Sequence, residues 1–163
     1  MCNAVHKECI KRIFMHCFLH IYAFCNNEKQ EETTMLKCYS LAKNGVTKLS
    51  KDFRVREFRC KNGADVIFVD TALVELLQKI RDHFGAPITI NSAYRTPEYN
   101  KKVGGSTYSQ HQYGKAADIV VKGVKPADVA AYAEQLMHSY GGVGRYATFP
   151  HVDTRDEKSS GNG

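Results

Sequence analysis

One amphipathic segment, between Asp70 and Gly85, constrains the fold of this chain more than any other feature of its sequence. Asp70 is typical of a helix N-cap, and Gly85 is typical of the residue that follows a helix. Between them, apolar residues recur at the i, i+3, i+4 spacing of a helix face that is turned toward a core. These residues are Leu73, Leu76, Leu77, Ile80 and Phe84. The pattern predicts a helix that must bury one face against other elements of the same domain.

Short apolar and β-branched runs surround this helix and are typical of strands. They lie at residues 66–69, 87–90, 119–121, 143–146 and 149–154. The last two runs predict a hairpin that closes the domain. Two further helices are predicted to begin at Pro97 and Pro126, because proline suits the first helical position, and to end near residues 103 and 140. This order favours a small α+β domain with a mainly antiparallel sheet and helices packed on it.

The first 34 residues differ in composition from the rest of the chain. They hold four of the six cysteines and three of the seven histidines, but neither glycine nor proline. Three interpretations are open: a signal or membrane-surface segment, a Cys/His metal cluster, and a leader that takes no part in the fold. The cysteines lack the close pairs of a metal cluster, and the apolar stretch at residues 14–25 is too short and too polar to span a bilayer. We expect residues 1–34 to lie outside the fold, residues 35–156 to form the functional domain, and residues 157–163 to form a flexible tail.

The chain is basic, with 23 Lys and Arg against 17 Asp and Glu and a net charge of +6. Basic and acidic residues balance within residues 1–34, so the excess belongs to residues 35–163. No nucleic-acid recognition motif, basic stripe or set of stacking aromatic residues accompanies this charge. The charge by itself therefore does not indicate a nucleic-acid partner. We expect no nucleic-acid partner, no stable membrane insertion and a monomer.

His111, Asp118 and His151 are the best candidates for metal ligands. Small residues separate His111 from Asp118 and would let two backbone segments approach until these side chains converge. His151 lies on the predicted last strand, where it shares a face with Asp153 by the period of two. Two imidazoles and one carboxylate suit Zn²⁺ and leave a fourth coordination position for water, which is the mark of a catalytic zinc site.

Three motifs follow one another along the chain. They are Ser92-Ala93-Tyr94-Arg95-Thr96-Pro97-Glu98-Tyr99-Asn100, Ser109-x-His111-x-x-Gly114-x-Ala116-x-Asp118 and His151-Val152-Asp153. In this order they resemble the zinc D-alanyl-D-alanine carboxypeptidase family, which includes phage endolysins and shares its fold with the hedgehog signalling domain. The resemblance covers roughly residues 49–155 and is strongest to the small single-domain members. It implies a hedgehog/DD-peptidase-like α+β fold.

The resemblance also implies roles for individual residues. His111, Asp118 and His151 would bind Zn²⁺. Arg95 would bind the substrate carbonyl or stabilise the oxyanion that forms from it, because a fixed guanidinium is suited to developing negative charge. Three more residues would position the loop of the first ligand or line the cleft: Ser109, Gln112 and Tyr113.

The sequence departs from the family at the general base. Relatives carry Glu or His two or three residues before the last zinc ligand, whereas this chain has Thr148 and Phe149, and neither can accept the proton of a water. Asp153 is the nearest candidate for the base. The alternative for Asp153 is structural, as an ion pair with Arg155 or a bond that orients a ligand histidine. The sequence alone leaves both roles open.

The resemblance implies a zinc-dependent peptidase that hydrolyses peptidoglycan stem peptides, as a D-Ala-D-Ala carboxypeptidase or a related endopeptidase. The alternative is a zinc-containing cell-wall-binding module with weak or no catalysis, which the missing upstream base favours. We expect the protein in the cell envelope or outside a bacterial cell, or in the cytoplasm until lysis if the chain comes from a phage.

Overall fold

The structure is a computed structural model that describes residues 35–157 and the backbone of residues 159–162. The predictions for residues 1–34 fall outside the described residues. The elements follow the chain in this order: β1 Leu36–Ser40, α1 Leu41–Asn44, a first 3₁₀ helix Val55–Phe58, β2 Val66–Asp70, α2 Thr71–Phe84, β3 Ile88–Ser92, α3 Pro97–Lys102, a second 3₁₀ helix Gln110–Tyr113, β4 Ala116–Val121, α4 Pro126–Met137, β5 Gly142–Arg145, β6 Pro150–Asp153 and β7 Ser159–Asn162.

Two sheets carry the strands. β1 and β2 form an antiparallel pair, and the second sheet has five strands in the order β3-β4-β6-β5-β7. Every neighbouring pair in the larger sheet is antiparallel except β5 and β7. The predicted α+β class with a mainly antiparallel sheet is therefore confirmed.

Helix α2 has the ends and the buried face that its sequence predicts. The carboxylate of Asp70 accepts a hydrogen bond from the backbone N–H of Ala72, and Gly85 adopts the left-handed conformation (φ 60°) that ends the helix. The leucines and the isoleucine of the stripe are buried, while Phe84 at its end is only partly buried. The helix joins one core with Phe53 and with Phe58, the last residue of the first 3₁₀ helix.

Strand register brings the candidate site together in the larger sheet. Asp118 on β4 lies opposite Ser92 on β3 and opposite His151 on β6. Two residues after His151, Asp153 lies between Ala116 on β4 and Gly142 on β5. Three neighbouring strands therefore present polar side chains at the same level.

Two segments differ from the sequence expectation. Helix α4 ends at Met137, about three residues early, because His138 leaves the helical region with φ 34° and Tyr140 N–H turns back to the Met137 carbonyl. Within the predicted flexible tail, the backbone of Ser159–Asn162 pairs with β5 as a parallel strand. The sequence of this strand is polar and contains glycine, without alternating apolar residues. It therefore carries no pattern that would predict a strand. Within the described residues, no helix has both the length and the apolar character needed to cross a membrane.

Candidate metal centre

The three residues predicted as metal ligands converge on one point. Nδ1 of His151 lies 2.8 Å from Oδ1 of Asp118, and Nε2 of His111 lies 3.3 Å from the same oxygen. One candidate ligand atom from each residue falls within 4.8 Å of the other two. His111 and Asp118 are buried and His151 is partly buried. The donor set of two imidazoles and one carboxylate fits Zn²⁺.

Different structural elements deliver these ligands. Asp118 and His151 face each other across the β4–β6 ladder, whereas His111 comes from the second 3₁₀ helix. Gly114 ends that helix with φ 66°, and a Cβ at this position would lie 2.4 Å from the carbonyl oxygen of Phe68. The loop of His111 can therefore pack against β2 only because residue 114 has no side chain.

Each histidine ring is held in place by the nitrogen that points away from Asp118, which we call the outer nitrogen. Nδ1 of His111 donates to the carbonyl oxygen of Ala93 at 2.7 Å, and Nε2 of His151 contacts Oδ2 of Asp153 at 3.2 Å. A carbonyl oxygen and a carboxylate only accept hydrogen bonds, so both outer nitrogens carry the proton. Nε2 of His111 and Nδ1 of His151 thus face Asp118, where each can donate a proton to the carboxylate or, once deprotonated, offer a lone pair to a metal ion. Outer partners of this kind orient metal-binding histidines.

The electrostatics of the cluster favour an ionised Asp118. Burial alone would raise its pKa, but hydrogen bonds from His111 and His151 outweigh burial and hold the pKa of Asp118 well below its usual value. Burial also opposes the charged form of His151, yet the hydrogen bonds to Asp118 and Asp153 raise the pKa of His151 to about 9. Protons and a metal ion therefore compete for the same histidine.

Arg95 lies next to the cluster. Its Nη2 donates to Oδ2 of Asp118 at 2.8 Å, its Nε donates to Oγ of Ser92 at 2.8 Å, and its backbone N–H donates to the carbonyl of His111. The guanidinium keeps the second oxygen of Asp118 occupied and lines the cleft in front of the cluster. It can orient Asp118 and still contact a molecule bound in the cleft.

Asp153 lies on the far side of His151 from the cluster. It is fully buried, and its carboxylate accepts two hydrogen bonds of 2.7 Å from Nε and Nη2 of Arg155 in addition to its contact with His151. Burial opposes its ionisation, but the bonds from His151 and Arg155 hold the pKa of Asp153 well below its usual value. Of the two roles that the sequence leaves open, this geometry favours the structural one.

The three supporting residues take different places. Ser109 lines the cleft and precedes the second 3₁₀ helix, with its N–H bonded to the Ser106 carbonyl. Gln112 does not line the cleft: its side-chain amide turns back and donates to the carbonyl of Thr107 at 2.9 Å, so it supports the loop instead. Tyr113 is exposed and also lies outside the cleft lining.

The sequence interpretation missed several residues of the cleft. Gln110 and Tyr146 line it, and Gly142 leaves the space that Asp153 fills, since a Cβ on Gly142 would lie 2.5 Å from Oδ2 of Asp153. The acceptor of His111 is a backbone carbonyl, that of Ala93, which no residue type could indicate. Gly142 lies directly opposite Asp153 in the β5–β6 ladder, and a glycine beside the last strand is a usable signal for such a close contact.

Two comparisons with known proteins bear on this chain. A family model described as Peptidase M15 matches residues 48–153. The zinc D-Ala-D-Ala carboxypeptidase of Streptomyces albus G is 46% identical to this chain over 44 residues, which are 26% of this chain and 17% of that protein. The chain therefore matches only about a sixth of the length of that relative.

Proposed function

The chain belongs to the peptidase M15 family, and from this premise we propose that it is a zinc-dependent peptidase that hydrolyses the stem peptides of peptidoglycan. The family match confirms the family that the three sequence motifs predict. The observation that carries the proposal is the convergence of Nε2 of His111, Oδ1 of Asp118 and Nδ1 of His151, with the outer nitrogen of each ring already bonded to an acceptor.

These three residues would hold Zn²⁺, which polarises a peptide carbonyl and lowers the pKa of a bound water toward about 7. The chain itself supplies the surrounding groups. Ala93 and Asp153 keep the two imidazoles in the tautomers that leave their lone pairs toward Asp118. Arg95 holds Asp118 through Oδ2 and presents positive charge to the carbonyl oxygen of the substrate as that oxygen becomes negative.

Within the described residues, no carboxylate that lines the cleft is free to act as the general base. Among the described residues that line the cleft, the carboxylates are Asp118 and Asp153. Asp118 faces both histidines, and both oxygens of Asp153 are occupied by Arg155 and His151. We assign Asp153 to the positioning of His151, which leaves the proton of the attacking water to solvent. The cleft reaches solvent beside Tyr146, whose side chain is exposed.

The substrate class rests on charge and on the similar protein. The net charge of +6 suits attraction to an acidic wall polymer. The Streptomyces protein is named for D-Ala-D-Ala, and stem peptides that end in this dipeptide are the first substrates to test. The proposed place of action is the peptidoglycan of a bacterial cell envelope, which the protein reaches by export or, if the chain comes from a phage, at lysis.

A second candidate is a zinc-containing wall-binding module without catalysis. The specific observation in its favour is that the positions two and three residues before His151 hold Phe149 and Thr148, neither of which is an acid or a histidine. Phe149 stacks on Tyr146 with ring centroids 4.8 Å apart, and Thr148 is exposed.

The two candidates differ in their products on purified peptidoglycan. We expect the zinc-loaded protein to release D-alanine or to create new amino ends, detected by mass spectrometry. His111→Ala is expected to lose this activity, whereas His83→Ala is expected to keep it, because His83 stacks on Tyr132 and does not line the cleft. Zinc binding with no product from the wild-type protein would support the module and overturn the peptidase.

A further inference from the structure

We propose that a row of basic side chains outside the cleft binds a polymer that carries repeated phosphodiester groups, as a component of the bacterial wall. We call this row the basic surface, and its members are Arg54, Arg56, Arg59 and Lys61. None of the four lines the cleft. The use of this surface, to hold a peptidase at the wall, rests on the proposed function, whereas the binding itself can be tested without catalysis.

The excess positive charge of the domain is concentrated in one short segment. Residues 43–61 hold seven Lys and Arg against two Asp and Glu, a net charge of +5, whereas residues 62–163 hold 11 of each kind. The sequence interpretation assigned the excess to residues 35–163 as a whole and missed this concentration. Charge that is gathered on one surface attracts an anionic partner to that surface in particular.

The two acidic residues of this segment do not neutralise the basic surface. Asp52 is turned toward α2, where it accepts from Nε2 of Gln78 at 2.8 Å and lies 3.5 Å from Nε of Arg81. Oε1 of Glu57 accepts from the backbone N–H of Arg54 at 2.7 Å. Within the described part of the chain, the side chains of the basic surface have no ion pair. The other basic residues of the segment lie near carboxylates and are not included: Lys43, Lys48 and Lys51.

Two guanidinium groups of the basic surface are held in place by the backbone. Nη1 of Arg54 donates to the carbonyl of Val46 at 2.7 Å, and Nη1 of Arg59 donates to the carbonyl of Arg56 at 2.8 Å. A guanidinium carries five N–H donors, so one bond to a carbonyl leaves other donors for the oxygens of a phosphate. Side chains that are already fixed lose less entropy when an anion binds.

The backbone arranges the basic side chains as a row. Phe58 and Cys60 are buried. The residues that alternate with them, Arg59 and Lys61, are exposed. From the rise of a 3₁₀ helix and of extended chain, residues 54–61 span about 15 Å. A single small anion is too short to contact the whole row, whereas a polymer with repeated phosphates can follow it.

The basic surface borders the loop that carries Arg95. The carbonyl of Phe58 accepts from the N–H of Tyr94 at 3.1 Å, and Sγ of Cys60 lies 3.5 Å from the backbone nitrogen of Thr96. The surface is therefore attached to the residues on both sides of Arg95 in the chain, without entering the cleft. A polymer bound there would raise the local concentration of wall substrate near the metal centre.

The same surface is less suited to nucleic acid or to a membrane. The aromatic residues of segment 43–61, Phe53 and Phe58, are buried, so they cannot stack on bases. Val46 is the one large apolar residue of this segment that is exposed, which is too little to enter a bilayer interface. Phosphate binding without base stacking or apolar insertion favours a wall polymer.

The experiment measures the binding of the full chain to fluorescently labelled poly(glycerol phosphate), by anisotropy at several salt concentrations. The double substitution Arg56→Gln with Arg59→Gln is expected to weaken binding about 10-fold. It is also expected to lower the slope of log Kd against log salt by about 1–2, because two phosphate contacts are lost. Arg56→Lys with Arg59→Lys keeps the charge and is expected to lose less affinity.

The matched control is Lys122→Gln with Lys125→Gln, which removes the same charge from another exposed surface, between β4 and α4. We expect it to weaken binding less than about 2-fold, since exposed charges at a distance are screened by salt. Equal losses from the two double substitutions would show that net charge alone governs binding and would overturn the basic surface. Tighter binding of the wild type to duplex DNA, or to phosphatidylglycerol vesicles, would overturn the choice of a wall polymer.

Peptidase assays separate this inference from the proposed function. We expect Arg56→Gln with Arg59→Gln to hydrolyse a soluble stem peptide at the wild-type rate and to act more slowly than the wild type on walls that carry the polymer. Equal loss on both substrates would show that the substitutions act on the cleft, against the inference. A wild type that binds the polymer and hydrolyses neither substrate would refute the peptidase and leave the basic surface supported.

Discussion

Two arginine–carboxylate pairs beside the β5–β6 hairpin have nearly the same contacts and different surroundings. Arg155 binds Asp153, and Arg145 binds Glu134, in each case through Nε and Nη2. The two arginines are similarly exposed, at 35% and 39%, but the side chain of Asp153 is 0% exposed and that of Glu134 is 35% exposed. Only Asp153 contacts a further charged partner, His151, through Nε2.

The comparison shows that the role of an ion pair depends on what its carboxylate contacts next. The side chain of Glu134 is partly exposed, so its bond to Arg145 is a pair near the surface whose net contribution to stability is small. Asp153 contacts His151, a proposed zinc ligand, so the ion pair with Arg155 helps to fix the position of that histidine ring. Glycine at position 142 makes room for this arrangement.

The largest contrast is expected in stability. Arg155→Ala would leave the fully buried carboxylate of Asp153 without its bidentate partner, and we expect a loss of about 3 kcal/mol in the free energy of unfolding. Arg145→Ala leaves a partly exposed Glu134 that water can reach, and it is expected to cost less than about 1 kcal/mol. Urea denaturation of both variants measures the difference. Equal losses would show that the burial of Asp153 does not distinguish the two pairs.

The next contrast is in metal affinity. Asp153→Asn weakens the bond that orients His151, and we expect zinc affinity to fall roughly 10- to 100-fold. Glu134→Gln is expected to leave zinc affinity unchanged. Competition with a chromogenic chelator measures both.

This substitution also tests the assignment of Asp153 to positioning. If Asp153→Asn retains full zinc affinity and loses all turnover, Asp153 acts as the general base and the positioning role is wrong. Turnover that recovers at saturating zinc would support positioning.

A smaller contrast is expected between two glycines of β5. In Gly142→Ala the new Cβ would lie 2.5 Å from Oδ2 of Asp153, so the carboxylate must move, and we expect a cost of about 1–3 kcal/mol. In Gly144→Ala the Cβ would meet Cε2 of Tyr146 at 3.1 Å and Cβ of His151 at 3.2 Å. The ring of Tyr146 is exposed and can shift, so we expect a smaller loss of stability in thermal unfolding. The reverse order would contradict the tight fit around Asp153.

The smallest effect is expected in the pH dependence of the thermal stability of protein that has been treated with a chelator. The carboxylates of Asp118 and Asp153 raise the pKa of His151 to about 9. This contribution to stability is complete below the unfolded pKa of about 6.5 and is lost as pH rises through about 9. Between pH 7 and pH 8 we expect a gradual fall in Tm that Asp153→Asn reduces and Glu134→Gln leaves in place. A Tm that increases with pH in both the wild type and Glu134→Gln would contradict the stabilising role assigned to protonated His151.

Much of the fold could be predicted from the sequence, because its elements carry local signals. The capped apolar stripe determined α2, and the alternating residues of 143–146 and 149–154 predicted the β5–β6 hairpin, which the structure confirms. Strand β7 carries no such signal, since Ser159–Asn162 pairs through its backbone. The early end of α4 depends on the positive φ of His138, a conformation that is uncommon for non-glycine residues and that no local sequence pattern indicates here.

The candidate site was predictable in its ligands and less so in their supports. His111, Asp118 and His151 could be recognised because metal chemistry restricts the residue types and their motifs fix the order. The role of Asp153 could not be assigned from the sequence. A general base and a residue that orients His151 would both be a carboxylate on the same face of the strand. Only the positions of Arg155 and of the His151 ring nitrogens separate the two roles.

The most direct test of the central claim is a zinc titration of peptidase activity. Chelator-treated protein is mixed with increasing zinc, and the release of D-alanine from a stem peptide is followed. The metal centre of His111, Asp118 and His151 predicts activity that rises linearly to one zinc per chain and then stays constant. Activity that does not depend on zinc, or no activity at one equivalent of bound zinc, would contradict the account.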